Sequence, residues 1–360
     1  MTSLAAVFHN PAQPLELRRF PLPVPAEGET LVRIRCSTIC GSDLHSRFGR
    51  RHCPAPAILG HEMVGEIVAT GNGGAHDYRG RPLRIGERVT WSMVWSCGDC
   101  YFCLRNLRPK CERLMKFGHE PISPAGALHG GMAEYCLLPA GTAIFPVPHN
   151  IPDMVAAPAN CATATVAAVL RTAGPVKGEV VVILGAGMLG LTACAMAAAN
   201  GAARVIVVEP VEERRQRALL FGAHVALNSE STPGELAAAI RERSQNRGAD
   251  AVLEFAGVPD SVEPGPDLLR TGGRFILAGS VFPSRPVRFS AEQMVRRMLH
   301  FTGVHNYAPE DLETALVFLR DHIDLHPFAD LIGPAFPLAQ VNEALEYAEK
   351  TKPPRVALLP

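Results

Sequence analysis

The sequence predicts an α/β protein of two domains, a mostly β, partly open barrel followed by a doubly wound parallel sheet. Three observations carry this reading. Residues 1–150 hold short β-branched runs among many Pro and Gly residues, without long helical periodicity. Near Ala156 the character changes to Ala-rich helical runs that alternate with wholly apolar strands. The chain of 360 residues is also longer than one compact domain ordinarily reaches.

The elements follow in order. LVRIRC at 31–36, MVGEIVAT at 63–70 and ERVTW at 87–91 read as strands joined by tight turns, the material of a barrel. In the second half, Val180–Leu184 (VVVIL) is a buried strand and 189–199 a helix. RVIVVE at 204–209 is the next strand, 212–221 the next helix, and 251–254 and 275–278 are further strands. The last stretch, about 310–360, reads as helix, loop, helix and a final strand (RVALL) that returns to the first domain.

Composition excludes several functions. Lys+Arg and Asp+Glu balance at 35 each, with no basic tract or acidic tail, so nucleic acid is not an expected partner. The opening MTSLAAVFHNPAQP lacks the basic start and apolar run of a secretory signal. No stretch reaches the roughly 18 apolar residues of a membrane span. Ten cysteines in such a chain point to the cytoplasm and to metal ligands or core thiols in preference to disulfides.

Gly185-Ala186-Gly187-Met188-Leu189-Gly190 stands directly after the VVVIL strand and opens a helix. Gly185 suits the tight turn, Gly187 lets backbone approach a pyrophosphate, and Gly190 lets helix and strand pack closely. Such a motif alone is weak, and a glycine-rich turn of another α/β unit reads the same way. Here Glu209 ends the next strand, 24 residues past Gly185, where a carboxylate can hold both hydroxyls of an adenosine ribose. It would repel a 2′-phosphate, which favours NAD over NADP. Arg214 can reach the adenosine end or stay solvated.

Cys97, Cys100, Cys103 and Cys111 form C-x2-C-x2-C-x7-C. Four thiolates at this spacing can close around one tetrahedral metal and leave no open position, which suits structural zinc. An iron–sulfur cluster uses similar thiolates, and zinc fits better beside the second, dispersed set. That set is Cys40, His61 and Cys161, two sulfurs and one nitrogen, with a fourth position left for water or an alcohol. Such a set is known from the catalytic zinc of alcohol dehydrogenase. Glu62 can act as a neighbouring carboxylate or an alternate ligand, and Asp43 can orient the ring of His61. Ser42 and His45, three residues apart, can pass an alcohol proton outward. Taken singly, Cys161, His61 and His45 are also readable as ordinary core or surface residues.

With these motifs in this order, the chain resembles the medium-chain zinc alcohol dehydrogenase superfamily over essentially its whole length. The resemblance implies a GroES-like catalytic domain from residues 1–158 and 282–360 and a Rossmann NAD-binding domain from 159–281. It implies an active site in the cleft between them and a homodimer or homotetramer. It assigns catalytic zinc to Cys40, His61 and Cys161, structural zinc to the four-cysteine lobe, the proton relay to Ser42 and His45, and Thr165 to the nicotinamide face. Many polyol and threonine dehydrogenase relatives carry glutamate where Cys161 stands, and this chain departs from them. Zinc-free quinone reductases and non-catalytic relatives of the fold typically lack both metal sets, which this chain has.

GRRHCPAP at 49–56, LLPAGTAI at 137–144, ANCATATVAA at 159–168 and GVHNYAP at 303–309 resemble the subgroup of phosphonate-catabolism-associated alcohol dehydrogenases. Arg47, Arg50 and Arg51, with Lys116 and His119, offer donors for such an anionic group. Met93, Trp95 and Phe117 point instead to an apolar pocket for a terpene-like secondary alcohol.

Overall fold

The computed structural model describes residues 1–123 and 126–360, and they form two compact units. The first unit comprises 1–164, 308–323 and 328–360, and the second 165–307 and 324–327.

The first unit is built on strands β1 (Thr30–Ile39), β2 (Glu62–Thr70), β3 (Arg88–Trp91), β4 (Tyr135–Leu138) and β5 (Ile144–Pro146). Exposed Arg33 and Arg35 alternate with buried Val32, Ile34 and Cys36 in the middle of β1, the period-two pattern of a half-buried strand, while the rest of these strands is mostly buried. The second unit holds β6 (Val180–Leu184), β7 (Arg204–Val208), β8 (Val225–Leu227), β9 (Ala249–Glu254), β10 (Leu269–Leu277) and β11 (His300–Gly303). The chain then returns to the first unit with β12 (Ile332–Pro337) and β13 (Arg355–Leu359). The mixed sheet of the first unit runs β5-β3-β2-β1-β13-β12, with β4 also on β1. One core of this unit joins Val32, Ile34, Met63, Ile67, Trp91, Phe117 and Leu138, and a second joins Phe8, Ile58, Met132, Leu345 and Leu358.

The second unit is a parallel sheet in the order β8-β7-β6-β9-β10-β11. VVVIL of β6 and Val205–Val208 of β7 are wholly apolar and mostly buried because both faces of the sheet are covered. Val182, Leu184, Ile206, Val252 and Phe275 share one core, and the helix Met188–Ala199 is buried almost throughout. The α/β class and the doubly wound sheet expected from the sequence are both present.

The expected domain boundaries shift. The return to the first unit comes at Ala308, well after residue 282, because His300–Gly303 adds a parallel edge strand to β10. HFTG is short and largely exposed, so no apolar run marks it. The first crossover falls at Thr165, inside the helix Ala162–Ala173, in place of residue 159. No single helix among the described residues is long and apolar enough to cross a membrane.

Candidate active site and metal centres

Sheet register assembles the dispersed donor set. Thr38 of β1 pairs with Glu62 of β2, so the residues just beyond the two paired positions, Cys40 and His61, meet at the same sheet end. Cys40 caps the short helix Gly41–Arg47, and its backbone N–H donates to Asp43 Oδ2 at 2.8 Å. Gly60 turns the chain into His61 with φ +90°, and a Cβ there would lie 3.0 Å from the Met132 nitrogen. Cys161 follows the turn Ala157–Asn160, where the buried Asn160 amide donates to the Trp91 carbonyl at 3.0 Å and fixes the turn on β3. One ligand atom each from Cys40, His61, Glu62 and Cys161 lies within 4.8 Å of the others.

Each group in this cluster is tuned by its neighbours. His61 is 1% exposed, and its Nδ1 lies 3.3 Å from Asp43 Oδ1, which turns Nε2 toward the cysteines. Burial opposes the charged ring, but Asp43 and Cys40 outweigh it and raise its pKa to about 9. The Cys161 thiol donates to Cys40, which with Arg355 and His61 holds the Cys40 thiol well below its usual value against burial. The same contact, with burial, holds Cys161 well above. A metal held by both sulfurs would bind them as thiolates and so compete with the proton on Cys161. Ser42 Oγ stands 3.4 Å from His61 Nε2, and His45 lies on the same helix. Burial, then the charge of Arg50, lowers the His45 pKa.

Glu62 has a partner that sequence reading missed. Arg355 on β13 grips both its oxygens, Nε to Oε2 and Nη2 to Oε1, each at 2.7 Å. Thr38 Oγ1 adds a 2.6 Å hydrogen bond, and Arg355 Nη2 also reaches Cys40 Sγ at 3.5 Å. Burial pushes the Glu62 carboxyl up to about 7, against the pull of Arg355. The two residues are 293 apart in sequence. The only local signal was a charged residue opening the RVALL strand.

The four-cysteine lobe closes on itself. Sγ–Sγ separations are 3.4 Å for Cys97–Cys111 and 3.9 Å for Cys97–Cys103 and Cys100–Cys111. Zinc–sulfur bonds of about 2.3 Å in a tetrahedron require edges of about 3.8 Å. All ten cysteines are free of disulfides. Backbone N–H groups of Glu112 and Cys103 bring the Cys100 thiol down to about 6, toward the thiolate a metal needs. Both donor sets fit zinc by their chemistry.

In the second unit, Gly185 has φ +96°, and an added Cβ would lie 3.1 Å from the Ala256 nitrogen. A Cβ on Gly190 would sit 1.9 Å from the Gly185 carbonyl oxygen, whereas one on Gly187 would meet nothing within 4 Å. The space a pyrophosphate needs is thus left at Gly187, at the start of the helix that Met188 and Leu189 open. Glu209, 4% exposed, accepts from Ala186 N–H at 2.8 Å and Val211 N–H at 3.1 Å. Arg214 Nη1 stands 4.0 Å from Glu209, while Arg215 is the residue bonded to the Glu209 carbonyl, at 2.7 Å. Thr165 is half-buried in its helix and belongs to the second unit.

The residues considered for substrate binding separate. Arg50 is taken by Glu349 in a bidentate pair at 2.6 and 2.8 Å, so it is not a free anion donor. Arg47 is buried, with its guanidinium 5.1 Å from the Phe48 ring. Phe117 lies in the core edge-on to Trp91, with ring centroids 6.1 Å apart, and Met93 is also buried. Trp95 Nε1 donates to the Ala140 carbonyl at 2.8 Å. His119 does lie beside His61, with ring centroids 5.6 Å apart, and Lys116 feels the charges of Cys161 and Cys40.

A chain that has a parallel nucleotide-type sheet in one unit and, in the other, one closed and one open zinc donor set has the parts of a zinc-dependent oxidoreductase. Residues 26–149 match the alcohol dehydrogenase GroES-like domain, and residues 189–321 match the zinc-binding dehydrogenase domain. The chain belongs to the zinc-dependent alcohol dehydrogenase family. It is 31% identical to a 5-exo-hydroxycamphor dehydrogenase of Pseudomonas putida over 338 residues, 92% of each chain. It is 34% identical to an L-threonine 3-dehydrogenase of Pyrococcus furiosus, over 77% of this chain and 75% of that one. An alcohol dehydrogenase structure from Thermotoga maritima superposes with a TM-score of 0.94 at 31% identity, covering 100% of both chains.

Proposed function

We propose that the chain oxidises a small polar alcohol, such as a hydroxyphosphonate, with NAD, or reduces the matching carbonyl. The observation that carries the reading is the gathering of Cys40, His61 and Cys161 at one sheet end within a few ångströms. These three residues would hold the catalytic zinc, and zinc held there supplies Lewis acidity to an alcohol. The protein's own groups do the rest. Asp43 fixes the His61 ring, and Glu62 is kept in place by Arg355. Ser42 and His45 carry the alcohol proton away, and the lowered pKa of His45 keeps the ring neutral and able to accept it. Thr165 is proposed to face the nicotinamide. The four-cysteine lobe would hold a second, structural zinc.

NAD preference rests on Glu209, whose carboxylate borders the glycine turn at Ala186. The ratio of kcat/KM for NAD over NADP should be large, and Glu209→Ala should narrow it. A wild-type preference for NADP would overturn the assignment. A second reading, a hydrophobic secondary alcohol, is favoured by the hydroxycamphor dehydrogenase likeness over 92% of the chain. A panel of polar and terpene-like alcohols assayed with NAD separates the two. A homodimer or homotetramer in the cytoplasm completes the proposal. Ten free cysteines suit that compartment, and β11 offers an open sheet edge.

A further inference from the structure

The two-stranded ribbon that brackets the four-cysteine lobe brings a cation to the candidate zinc site. Its strands Val94–Trp95 and Met115–Lys116 pair with Lys116 opposite Val94. The chain then turns sharply: His119 N–H donates to the Lys116 carbonyl at 3.0 Å, with Gly118 at φ +74°. This turn rests directly on the Gly60 backbone, since a Cβ on Gly118 would lie 2.4 Å from the Gly60 oxygen. Lys116 and His119 are thereby fixed at the two ends of a turn packed on the residue before His61.

Lys116 is electrostatically adjacent to Cys40, Cys161 and Asp43, and also to Arg51. Arg51 is set by the loop after the helix Gly41–Arg47, where its N–H donates to the His45 carbonyl at 3.1 Å. Among the described residues the side chain of neither Lys116 nor Arg51 makes a hydrogen bond or ion pair. The nearby carboxylates are engaged elsewhere. Glu120 accepts from the Lys116 backbone N–H at 2.7 Å, Asp43 from the Cys40 backbone, and Glu62 from Arg355. Two zinc-ligating thiolates would be matched by the charge of the ion they bind. Neither cation is ion-paired, so both side chains keep donors open to an anion that arrives beside the reaction site. Burial, then the charge of Arg51, lowers the Lys116 pKa, and an oxyanion beside the ammonium would oppose both. His119, driven to about 2 by burial and by Lys116, stays neutral and adds no third charge.

We propose that Lys116, with Arg51, is the seat for an oxyanion carried by the alcohol substrate, a phosphonate or a carboxylate close to the hydroxyl carbon. This rests on the polar-alcohol reading above, and moves anion recognition from Arg50 to the end of the ribbon.

The experiment compares wild type with Lys116→Met and Lys116→Arg on 2-hydroxyethylphosphonate, 3-hydroxypropionate and 1-butanol with NAD. Zinc content and melting temperature establish that each variant is folded. Lys116→Met should lower kcat/KM for the anionic alcohols about tenfold or more beyond its effect on 1-butanol, the scale of one charge-assisted hydrogen bond. Lys116→Arg should retain much of the selectivity. Phosphonoacetate, which carries no hydroxyl, should bind wild type by calorimetry and bind Lys116→Met at least about tenfold more weakly. The larger loss on one anionic alcohol identifies phosphonate or carboxylate as the group seated. If wild type prefers anionic alcohols and Lys116→Met keeps that preference, the seat lies elsewhere and the inference falls alone. If wild type oxidises only hydrophobic alcohols, the polar-alcohol reading falls with it.

Discussion

At the residue scale, the Glu62–Arg355 pair is the most consequential contact around the candidate zinc site. Both side chains are almost wholly buried, and every Glu62 oxygen is hydrogen-bonded. Removing one member leaves the other poorly compensated in a buried site, which costs up to about 3–5 kcal/mol. Arg355→Met and Glu62→Gln should each destabilise on that scale, and the double variant should lose far less than their sum. Chemical denaturation of the four proteins closes the cycle, and additive losses would show that the pair is not coupled. Glu62 was marked in the sequence as a neighbour of the ligand His61, but Arg355 was not. A partner 293 residues away leaves no local pattern. The same limit applies to Arg50, which reads as a substrate donor until Glu349 is seen across from it.

At the element scale, the strand–turn–helix around Gly185 separates packing from binding. Gly190 lies in the first turn of its helix, where alanine is intrinsically better by up to about 1 kcal/mol. Its missing Cβ is nevertheless what lets the helix Met188–Ala199 approach the Gly185 carbonyl. The backbone cannot yield cheaply at 1.9 Å, so the steric cost should win. Gly190→Ala should destabilise the nucleotide-free protein by about 1–3 kcal/mol. Gly187 has φ −77°, open to any residue, and free space around it. Gly187→Ala should therefore fold like wild type and bind NADH more weakly, as urea unfolding and NADH fluorescence titration would show. Equal effects of both substitutions on folding would contradict this division. These elements were the most legible in the sequence, because wholly apolar strands and a glycine turn each have one physical reason. The edge strand His300–Gly303 was not, because its pairing is made by backbone and its side chains stay mostly exposed.

At the scale of the whole molecule, the first unit is discontinuous, and its closing strand β13 both pairs with β1 and delivers Arg355 to the site. The two metal sets of this unit differ in what holds them. Cys40, His61 and Cys161 are carried by strands and turns anchored in the hydrophobic cores, so their scaffold exists without metal. The 97–111 lobe has only short 3-10 turns, Cys103–Arg105 and Arg108–Lys110, and exposes Tyr101, Leu104 and Leu107. Such a loop has little apolar burial to offset its conformational entropy, and metal binding must supply the difference. Freshly purified protein should contain two zinc ions per chain by elemental analysis. Cys97→Ser should lose one of them together with several degrees of melting temperature, because the lobe comes apart. Cys40→Ser should lose the other, keep a melting temperature close to wild type, and abolish turnover. A Cys40→Ser protein with near-normal turnover would break the assignment of the open site. A Cys97→Ser protein with two zinc ions and unchanged melting would break that of the closed one.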